Sequence, residues 1–160
     1  MLLIVWHSRT GASAALARAA LAGARGQGAE VRLVAAARAR PELLLAAAAY
    51  LFVCPENLAS MSGAMKEMFD RAYYPLLGRA EGRPYATIIA AGSDGHGAEA
   101  QIDRIATGWR LKRVAPPLII NMGAQTPEQI CAPKRLSPDQ RAQARDLGAA
   151  LGAGLALGIF

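Results

Sequence analysis

Cysteine, aromatic side chains and lysine are all scarce in this chain. The two cysteines, Cys54 and Cys131, are too few for a disulfide framework and fit no zinc spacing. So low a count suits a reduced, cytoplasmic protein. Aromatics make up only 6% of the residues, which limits how a planar ligand could be stacked. Long apolar runs are missing too. Met1–Trp6 is too short for a secretory leader. Leu147–Phe160 falls well short of the about 20 residues that cross a bilayer. No membrane association is therefore expected. No cluster of Cys, His and carboxylates suggests a metal. No local serine or cysteine nucleophile motif is present. No G-x-x-x-x-G-K-[ST] occurs, which speaks against a nucleoside triphosphatase.

The charge is one-sided, with fifteen arginines and three lysines in a net +6. A basic chain can attract nucleic acid, a membrane surface or an anionic small molecule. Here the arginines are scattered along the chain, with no dense run and no interleaved aromatics. That pattern argues against a nucleic-acid partner and leaves a solvated basic surface or an attraction for phosphorylated ligands.

At 160 residues the chain fits a single domain spanning 1–160. With 53% hydrophobic and 19% charged residues, it can bury a core and is no disordered tail. Short apolar runs read as strands at Leu2–Trp6, Glu30–Ala35, Ala48–Cys54, Tyr85–Ala91 and Val114–Asn121. Pro116 and Pro117 predict a bulge in the fifth run, or a later start at Leu118. Helical patterns lie between them, at Ala12–Ala24, Pro41–Ala46, Gly63–Leu77 and Gly97–Leu111. Ser137-Pro138-Asp139-Gln140 carries a capping signal for a last helix, and Thr126-Pro127-Glu128-Gln129 repeats it for a short one. In the last helix Gly148 and Gly152 share a spacing that suggests close helix–sheet packing, with a helix–helix dimer contact as the sharper alternative. Gly23–Gly28 reads as a helix stop and turn. Strands alternating with helices imply right-handed crossovers and a parallel sheet covered on both faces. Ligands of such sheets bind beyond the carboxyl ends of the strands.

Three loops fall at that edge. His7-Ser8-Arg9-Thr10-Gly11-Ala12-Ser13 joins the first strand to the first helix. Unpaired helix-start amides, the hydroxyls of Ser8, Thr10 and Ser13, the Arg9 charge and the close approach allowed by Gly11 make it a phosphate cradle. The plainer reading is helix capping by Thr10 or Ser13. The second loop runs from Cys54 to Gly63, through Pro55, Glu56, Asn57, Leu58, Ala59 and Ser60. The third is Gly92-Ser93-Asp94-Gly95-His96-Gly97. In a 2-1-3-4-5 strand order all three lie side by side.

Ser8-Arg9-Thr10-Gly11-Ala12-Ser13 resembles the FMN phosphate loop of flavodoxins, S/T-x-T-G-x-S/T. Pro55-Glu56-Asn57, Met61-Ser62-Gly63 and Phe69-Asp70-Arg71 resemble flavodoxin-like NAD(P)H-dependent FMN reductases, and Gly92-Ser93-Asp94-Gly95 resembles their next flavin-facing loop. The likeness extends through Gly108-Trp109-Arg110-Leu111 and Gln125-Thr126-Pro127-Glu128, nearly the whole chain. It implies a flavodoxin-like three-layer α/β sandwich with a five-stranded parallel sheet in the order 2-1-3-4-5. Ser8, Arg9, Thr10, Gly11, Ala12 and Ser13 would hold the phosphate. Pro55, Glu56, Asn57, Leu58, Ala59 and Ser60, with Ser93, Asp94 and Gly95, would border the ring and ribityl chain. Backbone amides near Glu56–Leu58 would meet the polar ring edge.

The implied activity is reduction of flavin, a quinone or another small-molecule electron acceptor, with NADPH or NADH as hydride donor. The alternative is a flavodoxin-type electron-transfer protein, a reading that the basic charge disfavours. His96 beside Asp94 is a candidate proton donor, and Cys54 reads as a packing thiol. A homodimer or homotetramer is the family expectation. No aromatic falls within the three loops, so an open flavin face and exchangeable FMN are expected.

Overall fold

The computed structural model describes residues 1–160. Its central apolar runs, Leu2–Trp6, Ala49–Asn57 and Pro84–Ala91, become strands buried on both faces over most of their length. The elements, in order, are β1 (Leu2–Trp6), α1 (Ala12–Arg25), β2 (Val31–Ala35), a 3-10 turn (Ala36–Arg38), α2 (Pro41–Ala46), β3 (Ala49–Asn57), β4 (Ser60–Met61), α3 (Gly63–Leu76), β5 (Pro84–Ala91), α4 (His96–Gly108), β6 (Lys112–Arg113), β7 (Leu118–Asn121), α5 (Pro127–Cys131) and α6 (Pro138–Ala156). The α/β sandwich is the expected one. The sheet holds seven strands rather than five, in the order β2-β1-β3-β5-β6, with β4 paired to β3 and β7 paired to β5.

Two physical causes account for the added strands. The fifth strand is split. Tyr85 of β5 pairs with Arg113 and Ile88 pairs with Leu118. The outer strand therefore takes five steps where β5 takes three. Pro116 and Pro117 cannot donate to the ladder, so the chain leaves the sheet there and returns at Leu118. The other addition is a hairpin. β4 folds back antiparallel on the end of β3, pairing Glu56 with Met61 and Asn57 with Ser60. Its two-residue turn holds Leu58 at φ 52° and Ala59 at φ 54°, the left-handed pair that a type I′ turn requires.

Alternation along the central strands divides the core. Leu3, Val5, Tyr50, Phe52, Cys54, Tyr85 and Ile89 face α3 and α4. Leu2, Ile4, Leu51, Val53, Ile88 and Ala90 face α1 and α6. The first layer takes five of the nine aromatics: Tyr50, Phe52, Phe69, Tyr85 and Trp109. Their rings pack in series, with Phe52 and Phe69 centroids 4.9 Å apart and Phe69 and Trp109 5.3 Å apart. The second layer is built from small residues. A Cβ on Gly148 would stand 2.0 Å from the Ala20 carbonyl oxygen, and one on Gly23 1.9 Å from that of Arg145. The glycine spacing in the last helix thus serves α1–α6 contact within the chain, not the helix–sheet packing expected from sequence. Both predicted capping boxes form, at Thr126–Gln129 and Ser137–Gln140.

Arginine side chains close the opposite edge. Arg83 donates to the carbonyls of Leu44, Leu45 and Ala47 and to the Tyr50 hydroxyl. No helix is long and apolar enough to cross a membrane.

Candidate functional site

The β1–α1, β3–α3, β5–α4 and β7–α5 connections gather at one edge of the sheet and enclose a cleft of about 440 Å³. Its floor is the start of α1. Gly11, at φ 101°, turns the chain into the helix, and no side chain caps it. The first helical bond runs from Ala15 to the Gly11 carbonyl, so the amides of Ala12, Ser13 and Ala14 lie ahead of it. Ser8 Oγ accepts from the Gly11 amide at 3.1 Å and fixes the turn. Neither Thr10 nor Ser13 caps the helix, which removes the plainer reading of this loop. Ser13 is 1% exposed and lines the cleft, and its Oγ has no hydrogen-bond partner. A buried hydroxyl left without a partner costs about 1–3 kcal/mol; a ligand oxygen in the cleft would remove that cost.

The β3–β4 hairpin forms the second wall through Pro55, Glu56 and Asn57. Glu56 is the one carboxylate lining the cleft. Its Oε1 accepts from the Gly95 amide at 2.7 Å and its Oε2 from the Ala98 amide at 3.0 Å. Glu56 therefore caps α4 from a distant strand and ties the second loop to the third. Gln101 adds two more ties. It accepts from the Met61 amide at 3.0 Å and donates to Ser60 Oγ at 3.1 Å. A Cβ on Gly97 would lie 2.2 Å from the Ala59 carbonyl oxygen, so only glycine admits the hairpin this close to α4.

Of the sequence-assigned positions, Ser8, Arg9, Thr10, Ala12, Ser13, Pro55, Glu56 and Asn57 line the cleft together. Gly11 supplies the turn beneath it. Leu58, Ala59, Ser60, Ser93, Asp94 and Gly95 stand outside its walls, and Leu58 is fully exposed at the hairpin tip. The third loop meets the cleft through Gly92, after Ala90 and Ala91 of β5. His96 pairs with Asp94 at 2.8 Å on the surface, where its side chain is 78% exposed, and does not line the cleft.

The remaining wall comes from residues the sequence reading did not single out. Met122, Ala124, Ile130, Cys131 and Lys134 line the cleft together with the phosphate loop. The Lys134 amide donates to the Thr10 carbonyl at 2.7 Å, and the Ala124 amide to the Gly92 carbonyl at 3.0 Å. These bonds join segments far apart in sequence, so only the capping box at Thr126 hinted at an ordered element here. Arg9 and Lys134 are the cations of the cleft, and neither is paired with a carboxylate. The Glu56 carboxylate is already engaged with amides. The field in the cleft therefore favours an anion.

Behind the loops, His7 Nδ1 and Ser62 Oγ lie 2.8 Å apart. Burial, then the Arg9 charge, lowers the His7 pKa. Burial pushes the Cys54 thiol up to about 12, against hydrogen bonds from Ser62. A thiol so held is inert packing. No group of three His, Cys, Asp or Glu side chains stands ready for a metal.

Residues 34–126 match the family model of NADPH-dependent FMN reductases. The chain belongs to that family of FMN-binding flavoproteins. No curated protein matches the reductase-family chain in sequence. Among solved structures it is similar to an archaeal flavodoxin at 16% identity and a TM-score of 0.81, covering 97% of this chain and 98% of that one. It is similar to a flavodoxin-like WrbA-like protein from Agrobacterium tumefaciens at 20% identity and a TM-score of 0.71, covering 98% and 97%. It also resembles the flavodiiron protein of Giardia intestinalis at 19% identity and a TM-score of 0.76, covering 97% of this chain and 36% of that one. At these identities the likeness establishes the flavodoxin-like fold.

The cleft suits FMN on its own terms. An uncapped helix start, an unpartnered buried hydroxyl and two cations without a carboxylate partner fit a phosphate. Ala90, Ala91, Met122 and Ile130 supply apolar surface for a ring system. No aromatic side chain lines the cleft.

Proposed function

We propose that this protein is an FMN-dependent oxidoreductase that takes hydride from NADPH or NADH and passes electrons to flavin, a quinone or another small acceptor. The observation that carries the reading is the cleft itself. Anion-seeking groups gather at one end, apolar walls line it, and no aromatic ring closes it. Ser8, Thr10, Ser13 and the amides of Ala12–Ala14 would hold the phosphate, with Arg9 and Lys134 adding charge. Pro55–Asn57 and Gly92 would border the ring and ribityl chain. Bound FMN would supply the redox chemistry, and the protein's part is to position and expose it.

The hairpin wall is held by Glu56 and Gln101 rather than by ligand contacts, so it is organised before anything binds. A wall organised in advance avoids part of the ordering cost of binding. The lack of stacked aromatics leaves room for a nicotinamide and then an acceptor to approach in turn. Positioning of donor and cofactor is where such a site gains most of its rate.

Likeness to flavodoxins keeps an electron-carrier reading in view, but a net charge of +6 argues for anionic small molecules. The test is steady-state oxidation of NADPH and NADH by FMN-loaded protein, with free flavin or a quinone as acceptor. Acceptor-dependent turnover supports the reductase. Absence of turnover with every donor–acceptor pair, despite bound FMN, would replace it with the carrier.

A further inference from the structure

Cys131 ends α5 and is exposed, whereas Cys54 is fully buried. Cys131 also lines the cleft, with the phosphate loop. The unpartnered, buried Ser13 Oγ lines that same cleft and independently points to a ligand in it. Thiol and ligand space therefore coincide.

The surroundings of Cys131 favour chemistry there. Lys134 Nζ donates to the carbonyls of Gln129 at 2.5 Å, Ile130 at 3.0 Å and Ala132 at 2.7 Å. These residues flank Cys131 on both sides, so a cation with no carboxylate partner is fixed at the end of α5 that carries the thiol. It would attract a reagent that bears carboxylates. The segment can also yield. α5 has no buried residue, and its capping bonds run within Gln125–Gln129. It is tied to the domain on either side, by Ala124 to Gly92 and by Lys134 to Thr10.

We propose that Cys131 is a thiol-modification site that controls cofactor loading, accepting a low-molecular-weight, carboxylate-bearing disulfide and thereby excluding FMN. The step is a disulfide exchange. The Cys131 proton goes to solvent and its sulfur attacks one sulfur of the reagent. A protein–reagent disulfide forms, the reagent's own S–S bond breaks, and the other half leaves as a thiolate. Net redox state is unchanged, and an added thiol reverses the step. The adduct occupies the cleft wall, and its carboxylates bring negative charge towards the phosphate site. Bound FMN in turn covers the thiol. The inference rests on the proposal that this cleft holds FMN.

The experiment uses full-length apoprotein treated with oxidised glutathione. Peptide mapping should place one adduct, on Cys131, with Cys54 unmodified until the protein is unfolded. FMN affinity, measured by quenching of flavin fluorescence, should fall about tenfold or more and return on reduction. In Cys131→Ser, treated and untreated protein should bind FMN equally. FMN at about 100 times its Kd should slow thiolation of the wild type about a hundredfold. The inference is overturned if untreated protein binds FMN and the adduct leaves that affinity unchanged, or if FMN does not slow thiolation. If untreated protein binds no FMN at all, the flavin reading fails and takes this inference with it.

Discussion

Ser13 has a hydroxyl that the folded chain buries and leaves unpaired, and that single atom separates two roles for the first loop. If it awaits a phosphate, Ser13→Ala should leave the apoprotein as stable or more stable, because an unsatisfied polar group is removed. The same change should weaken FMN binding by about 1 kcal/mol, and Thr10→Ala should weaken it similarly. Chemical denaturation of apoprotein and FMN titration of each variant check the pair. Lost stability with unchanged affinity would mean that Ser13 serves only the helix. His7 makes a prediction of the opposite kind, about pH. Its pKa is lowered in the folded protein by burial and the Arg9 charge, so below the usual imidazole value of 6.5 the unfolded chain takes up the proton first. Its contribution to stability is therefore complete above that value and is lost as pH falls towards the lower, folded pKa. Urea unfolding across this window should show stability falling with pH, and His7→Asn should flatten the slope. At this scale the sequence was only half legible. The hydroxyls and Arg9 of the first loop were apparent. The engagement of Glu56 by two amides of α4 and the docking of Lys134 on Thr10 were not, because both depend on contacts between distant segments.

Among the elements, the β3–β4 hairpin is the one that sequence reasoning missed. A type I′ turn is signalled by Asn-Gly or Asp-Gly, and here Leu58-Ala59 occupies it, each at positive φ. Tertiary ties hold it there: Glu56 to Gly95 and Ala98, Gln101 to Ser60 and Met61, and the contact of Gly97 with Ala59. A side chain at positive φ costs roughly 1–2 kcal/mol, part of which glycine gives back through unfolded-state entropy. Ala59→Gly should therefore stabilise the protein by up to about 1 kcal/mol, read as a higher denaturation midpoint. A lower midpoint would show that the Ala59 methyl contributes packing that outweighs its strain. The other elements were more legible, since short apolar runs and capping boxes are local signals. The split of the fifth strand was signalled by Pro116-Pro117. The α1–α6 contact was half visible: the glycine spacing showed close approach but not its partner.

For the whole molecule, the scarcity of aromatics becomes a matter of placement. Five of nine are spent in the core layer beneath α3 and α4, and none lines the cleft. Tyr73 and Tyr74 are exposed in the second half of α3, a helix that starts at the site edge and carries them away from it. The flavodoxin-like architecture and the edge of the sheet that carries the site were both legible, because parallel βα units leave little choice of topology. The cations and apolar cleft walls fit a phosphorylated ring cofactor. The most direct test is anaerobic mixing of FMN-loaded protein with NADPH and, separately, NADH in a stopped-flow spectrophotometer. The account predicts that the flavin absorbance bleaches in a single turnover, at a rate that saturates with one of the two nucleotides. A flavin that stays oxidised with both, yet is reduced by a partner protein, would contradict it.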